Sequence, residues 1–219
     1  MNRLGAANAP QMKWVLWAAI GVLCAASLVC AGTIDTEFLQ QPWPKQRVRE
    51  LEVGRYEVRW RERANRKDGI FAGVRFTAPL ERQRVWDLSN DYTSIGTMTP
   101  GVTAVRMLEQ TPTRQVIQID VNVLWKTLQL TFEVEQEPPR AVRFRLVNRA
   151  IGEYRGLCLF EDAQEAASDG GTTSHTNVEL ATWLKPSRPV PTGLLLLVER
   201  MALLQGTKEF LYSCERHRL

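Results

Sequence analysis

The chain has 219 residues, 44% of them hydrophobic and 24% charged, a length and composition that fit one domain with a substantial core and exclude a disordered chain. Its net charge of +4 includes Arg3 and Lys13, which precede an apolar segment, and without them the balance is +2, too even to imply a nucleic-acid partner. Four cysteines, two of them in that apolar segment, and two histidines exclude a disulfide framework and a structural zinc set.

The first element is the uncharged stretch Trp14 to Ala31, WVLWAAIGVLCAASLVCA, behind a short basic lead without acids. That layout is an export signal, and its 18 residues also reach the lower limit for a membrane anchor. Both readings stand, with the small residues Val29-Cys30-Ala31 offering a cleavage site at 31 in the first. Residues 32–51 mix Gln, Pro and charge without a period and read as a linker, leaving 52–219 as the folded domain.

Tyr56, Val58 and Trp60 alternate with Arg55, Glu57, Arg59 and Arg61, which predicts a strand, and a turn at Asn65 to Gly69 leads to a second strand at Ile70 to Thr77. The basic residues of this hairpin suit a solvated edge strand, and they also suit contact with acidic lipid headgroups. Pro79 opens a short helix, PLERQRVWDLS, and YTSIGTM forms a second helical turn before Pro100-Gly101. Five alternating strands follow. Their apolar phases carry Ile117, Ile119, Val121, Val123 and Trp125; Leu128, Leu130, Phe132 and Val134; Val142, Phe144 and Leu146; Tyr154, Gly156, Cys158 and Phe160; and Val178, Leu180, Thr182 and Leu184. Short turns between them imply antiparallel neighbours, except at the Gly/Ser-rich loop Ala163 to Thr173.

A sheet with one apolar face needs a cover. The stretch TWLKPSRPVPTGLLLLVERM supplies it: prolines end the last strand, Thr192 can cap a helix, and Leu194, Leu197, Val198, Met201 and Leu204 recur at helical spacing. Gly193 to Leu204 is about twelve residues, interrupted by Glu199 and Arg200, where a span needs roughly 20 apolar ones, so the leucines belong to a cover and not to a second span.

Strand, two short helices, a run of antiparallel strands and one C-terminal helix is the order of the helix-grip fold. In the stretches VRFTAPLERQRVWDLSNDYTSIGTMTPGV and LATWLKPSRPVPTGLLLLVERMALLQGTKEF the chain resembles the START-like superfamily, in particular its polyketide cyclase/dehydrase and coenzyme-Q-binding branch, with Trp86, Tyr92 and Pro100-Gly101 in the expected order. The resemblance covers about Ile70 to Tyr212. It implies an α+β fold, a curved antiparallel sheet wrapped around the C-terminal helix, and a space between them for a lipid, a quinone or a polyketide-like molecule.

Under that resemblance the inward residues Ile119, Val121, Trp125, Phe132, Phe144, Phe160, Leu197 and Met201 line the space, with Gly156 leaving room, while each is also an ordinary core residue. Asn148, Tyr154 and Thr182 are its inward polar groups, able to orient a ligand carbonyl or hydroxyl or to satisfy backbone groups. The inward phases hold no His, Asp or Glu, so a binding or transfer protein ranks ahead of a cyclase or dehydratase working through Tyr154 or an arginine such as Arg106. No cofactor is implied. The expected partners are a hydrophobic small molecule or lipid and, through residues 14–31, a membrane of the cell envelope. Cys158 and Cys214 can form one bridge in an oxidising compartment or remain small buried hydrophobes.

Overall fold

The computed structural model describes residues 33–40, 49–53, 55–65, 67–92, 101–123, 126–163 and 174–218. The apolar segment 14–31, most of the second helical turn, Trp125 and the loop 164–173 lie outside the described residues. In chain order the elements are β1 (Arg49–Val53), β2 (Tyr56–Asn65), β3 (Gly69–Ala78), α1 (Arg82–Ser89), β4 (Val102–Gln110), β5 (Arg114–Val123), β6 (Lys126–Glu137), β7 (Ala141–Leu146), β8 (Gly152–Ala163), β9 (His175–Pro186) and α2 (Thr192–Arg216). All nine strands belong to one antiparallel sheet of order β1-β2-β3-β9-β8-β7-β6-β5-β4.

The period-two pattern decides which face is covered. Register pairs Ala72 with Thr182, Val74 with Leu180 and Phe76 with Val178, so the inward phases of β3 and β9 coincide. On this concave face α2 sets down Leu203, Leu211 and Cys214 among Trp60, Val74 and Phe76, all buried. Each fully buried Leu or Phe is worth about 1.5–3 kcal/mol, which is what holds a helix of moderate amphipathicity on the sheet. Helix α1 closes the far end: Trp86 meets Phe160 edge-on at 5.6 Å, and Thr176 Oγ1 donates to Leu80 O at 2.8 Å.

Three expectations change here. The stretch 32–51 is not all linker: Ile34, Thr36 and Leu39 are buried, and 49–53 is β1. Ile34 N donates to Glu135 Oε2 at 2.8 Å and Arg61 Nη2 donates to Leu39 O at 3.1 Å, so this stretch lies on the convex face of the sheet. Strand β4 adds to the five strands expected after Pro100-Gly101; it carries no clean alternation because it is an exposed edge with register shifts at Val102/Ala104 and Met107/Glu109, each of which breaks period two.

The third concerns α2: it is the C-terminal helix expected, 25 residues long, but the leucine run does not all face the sheet. Its buried stripe is Leu203, Thr207, Leu211 and Cys214. At about 100° per residue Met201 points roughly 160° away from Leu203, and Leu197 roughly 120° away. Leu194, Leu197, Val198 and Met201 are exposed by 51%, 51%, 48% and 64%. The leucine run therefore covers the sheet with one side and turns the other outward. No helix among the described residues is long and apolar enough to cross a membrane.

Candidate ligand-binding site

The residue that α2 turns inward at this level is Glu199, four before Leu203. Its Oε1 accepts from Tyr154 Oη on β8 at 2.9 Å and lies 2.6 Å from Thr182 Oγ1 on β9. Thr182 Oγ1 is also 3.4 Å from Ala72 O, and its one proton can go to a single acceptor. With Glu199 ionised, Thr182 donates to the carboxylate. With Glu199 protonated, the carboxyl donates to Thr182, which passes its own proton to Ala72 O. Burial raises the Glu199 carboxyl above the ordinary carboxylate range, against the two hydroxyls, which pull it down. Burial also pushes the Tyr154 phenol well up, and the neighbouring carboxylate adds to it. Both groups thus favour the neutral form at neutral pH more than they would in water.

The neighbour Arg200 reaches the other way. Its guanidinium pairs with the Glu62 carboxylate on β2, Nε lying 3.2 Å from Oε2, and Trp60 Nε1 donates to the same oxygen at 3.0 Å. The two charged residues that interrupt the leucine run are the ones that clamp the helix to the sheet, Glu199 to β8 and β9, Arg200 to β2.

Beside Glu199 the wall is aromatic. Phe132, Phe144 and Tyr154 stand with ring centroids 6.0–6.1 Å apart, in one cluster with Ile117, Val134 and Leu146. Ile119 and Val121 are half-buried at their register positions opposite Leu130 and Leu128. Further along, toward α1, lies a neutral polar group: Gln136 Nε2 donates to Asn90 Oδ1 and sits 3.3 Å from Tyr92 Oη. Burial raises the Tyr92 phenol to about 12, against the hydrogen bond with Gln136. Gln115, 7% exposed, approaches Gln136 and leaves its Oε1 buried without a partner.

Two glycines have opposite surroundings. A side chain at Gly156 would collide with the Phe144 ring, which lies across it from the neighbouring strand. At Gly206 on α2, seven residues after Glu199 and therefore on the same side of the helix, a Cβ would meet no atom of the described residues within 4 Å. A cleft of about 590 Å³ opens one helical turn before Glu199, lined by Ile70, Pro186, Pro189, Pro191 and Leu195 among others, so the proline-rich crossover forms part of its rim.

Of the residues expected to line a site, Phe132, Phe144, Tyr154, Thr182 and Phe160 share the concave face, with Phe160 packed against Trp86 under α1. Ile119 and Val121 lie on the same phase nearer the sheet edge. Gly156 leaves no room, because Phe144 takes its space. Asn148 is not inward: β7 ends at Leu146, and the exposed Asn148 amide donates to Gln129 O at 2.7 Å in the following turn. Leu197 and Met201 are on the outer side of α2. Arg106 is half-exposed and paired with Asp120 at 2.8 Å, away from this face. Cys158 and Cys214 are free thiols that burial pushes up to about 12.

A family model described as polyketide cyclase / dehydrase and lipid transport matches residues 78–210. The chain belongs to that family. Its fold is the START-like helix grip, and solved structures share it at low identity. The Zhui aromatase/cyclase from Streptomyces sp. R1128 is 16% identical with a TM-score of 0.59, covering 68% of this chain and 95% of its own. A STAR-related lipid transfer protein from Xanthomonas axonopodis is 14% identical with a TM-score of 0.59, covering 77% and 98%. A protein from Thermus thermophilus is 17% identical with a TM-score of 0.53, covering 67% and 94%. No match was found among curated proteins.

Proposed function

We propose that this chain binds and carries a hydrophobic ligand between the concave face of its sheet and α2, with Phe132, Phe144 and Tyr154 as the apolar wall and Glu199, Tyr154 and Thr182 as the polar anchor. The observation that carries the reading is a carboxyl and two hydroxyls gathered beside the aromatic wall, with open space before Gly206 two turns along the same side of the helix. Ligand sites have this composition, mostly apolar with a few convergent polar groups. The family match and the lipid-transfer relative support it. Attachment to a membrane through residues 14–31, or export after cleavage there, completes the proposal on the strength of that uncharged segment.

The test is native mass spectrometry of the full-length protein purified from its own host, followed by organic extraction. A stoichiometric lipid, quinone or polycyclic compound is the expected result. The variant Gly206→Leu places a side chain in the open space and should release the compound. Replacing a helical glycine also favours the helix by up to about 1 kcal/mol, so the fold should survive. Full retention of the compound by that variant would remove α2 from the binding site.

A second reading, catalysis of the cyclase or dehydratase kind, draws on the Tyr154–Glu199 hydrogen bond, an inward acid–base pair with both members in reach of one substrate. It requires Tyr154→Phe to abolish turnover of a polyketide-like substrate while binding persists. Unchanged turnover would remove the best candidate residue of this reading.

A further inference from the structure

We propose that the concave site selects an apolar ligand bearing an uncharged hydroxyl, received by Glu199, and rejects the corresponding carboxylate. The proposal rests on the reading that this face binds an apolar ligand, and it names the polar group that ligand must carry.

Glu199 Oε1 is occupied by Tyr154 and Thr182, whereas Oε2 has no hydrogen-bond partner among the described residues. This oxygen of the half-buried Glu199 is open beside an aromatic wall, and a ligand hydroxyl can donate to it. Three buried polar atoms on this side also lack partners, the hydroxyls of Tyr56 and Thr207, which can donate or accept, and the acceptor carbonyl oxygen of Gln115. Around it Gln136, Asn90 and Tyr92 are all neutral. Glu199 Oε2 and Gln115 Oε1 thus take donors, and among the described residues no positive charge stands at either place.

An anionic head would need a cation. Arg200, the nearest along α2, is held by Glu62 and lies 6.0 Å above the Trp60 ring. Alternation puts the arginines of the adjoining strands on the convex face: Arg155 of β8 is stacked near Phe38 and Trp183, and Arg75 of β3 pairs with Glu179 of β9. Placing a carboxylate against Glu199 sets like charges together in a site of low polarity, where neither is compensated. Neutral Glu199 would escape the repulsion, yet the ligand carboxylate would still lose its hydration without a cation to replace it.

A matched set of probes separates the alternatives: 2-naphthol, 2-naphthoate and naphthalene, which share one apolar body, measured by equilibrium dialysis against the full-length protein with fluorescence readout. The expected order is naphthol tightest, with naphthoate weaker by about tenfold or more, the scale of one charge-dependent contact. In Glu199→Gln the naphthol-to-naphthoate ratio should fall to about threefold or less, because the like-charge partner is gone while an acceptor oxygen remains. Tyr154→Phe keeps the carboxyl and should keep the preference for naphthol. If Glu199→Gln fails to unfold cooperatively, Glu199→Ala, which removes the charge and the acceptor together, takes its place and must lower the ratio.

Equal binding of naphthol and naphthoate by the wild type would overturn the proposal while leaving the apolar site standing. So would a ratio that survives Glu199→Gln unchanged. Binding of none of the three, naphthalene included, would bring down the apolar-site reading itself and the hydroxyl preference with it.

Discussion

Carboxylates of this sheet meet opposite surroundings: Glu62 on the concave face is paired with Arg200, as those of the convex face are with their arginines, while Glu199 is not. On the convex face Glu133, 6% exposed, is gripped by Arg114 and Arg145, and Glu179 by Arg61 and Arg75. Burial would raise the Glu133 carboxyl, but the hydrogen bonds from Arg114 and Arg145 with their charges outweigh it and hold the group below its ordinary value. On the concave face Glu199 meets hydroxyls alone, and burial wins. A carboxylate neutralised by guanidinium is architecture, finished with its chemistry. One left among hydroxyls retains a proton to gain or lose and an oxygen to offer, and that contrast is why the binding site is placed at Glu199.

The largest effect expected from probing this contrast is at Arg61. Its guanidinium is 5% exposed, stacked 4.6 Å over the Phe71 ring and bonded to Leu39 O and Glu179. Burial lowers it to about 10 against the attraction of Glu179, so it stays charged at neutral pH. Arg61→Ala removes one partner of a buried network and should destabilise the protein by about 3 kcal/mol in urea titrations. A loss below about 1 kcal/mol would mean the convex pairs are surface decoration. Glu133→Gln should cost about 1 kcal/mol at neutral pH, since its arginine partners are 40% exposed and screened. Because the folded-state value of Glu133 is depressed, its contribution is present above the unfolded value near 4.5 and disappears as pH falls through the depressed one. The variant and wild-type midpoints should therefore converge in acid.

Glu199→Gln should show the reverse trend at smaller amplitude. A raised carboxyl favours the folded state when protonated, and that advantage is lost as pH rises from 4.5 through the raised value. Wild type and variant should coincide in acid, with the variant equal or more stable, by up to about 1 kcal/mol, toward neutral pH. Convergence in the other direction would place an uncounted cation beside Glu199 and end the contrast. The smallest effect is expected at Met201, 64% exposed on the outer side of α2: Met201→Gln should change stability by less than about 0.5 kcal/mol.

The fold was legible from strand alternation and from the order of elements, and the inward phases of β6, β8 and β9 stand as the periodicity predicts. The site was less so, for a reason located in one stretch. Leu194 to Val198 is apolar on every side of the helix, so that run by itself cannot say which side faces the sheet. The decision lies later, where Leu203, Phe210, Leu211 and Cys214 alternate with Gln205, Lys208, Glu209 and Glu215. Extending their stripe backwards by four residues lands on Glu199. As an interruption of the leucine run the carboxyl carries no sign of facing inward, and no other His, Asp or Glu stands on the inward strand phases beside Tyr154. Asn148 failed for another reason: period two continues in the letters past Leu146, but the chain has already turned. The segment 33–40 gave no period because it packs as irregular backbone, its side chains chosen by the convex surface beneath them.

The ring of Phe144 lying on Gly156 couples two positions of neighbouring strands into one unit of volume. Neither can be enlarged without the other being reduced, so single substitutions at 144 and 156 are poor guides to what the pair tolerates. Exchanging them, Phe144→Gly together with Gly156→Phe, would shift one aromatic disc by a strand's width, about 4.8 Å, along the floor of the groove and leave the total occupied volume unchanged. A lineage or an engineer seeking a differently shaped guest could thus relocate the contour of this surface by a paired swap, without altering how much of the interior is filled.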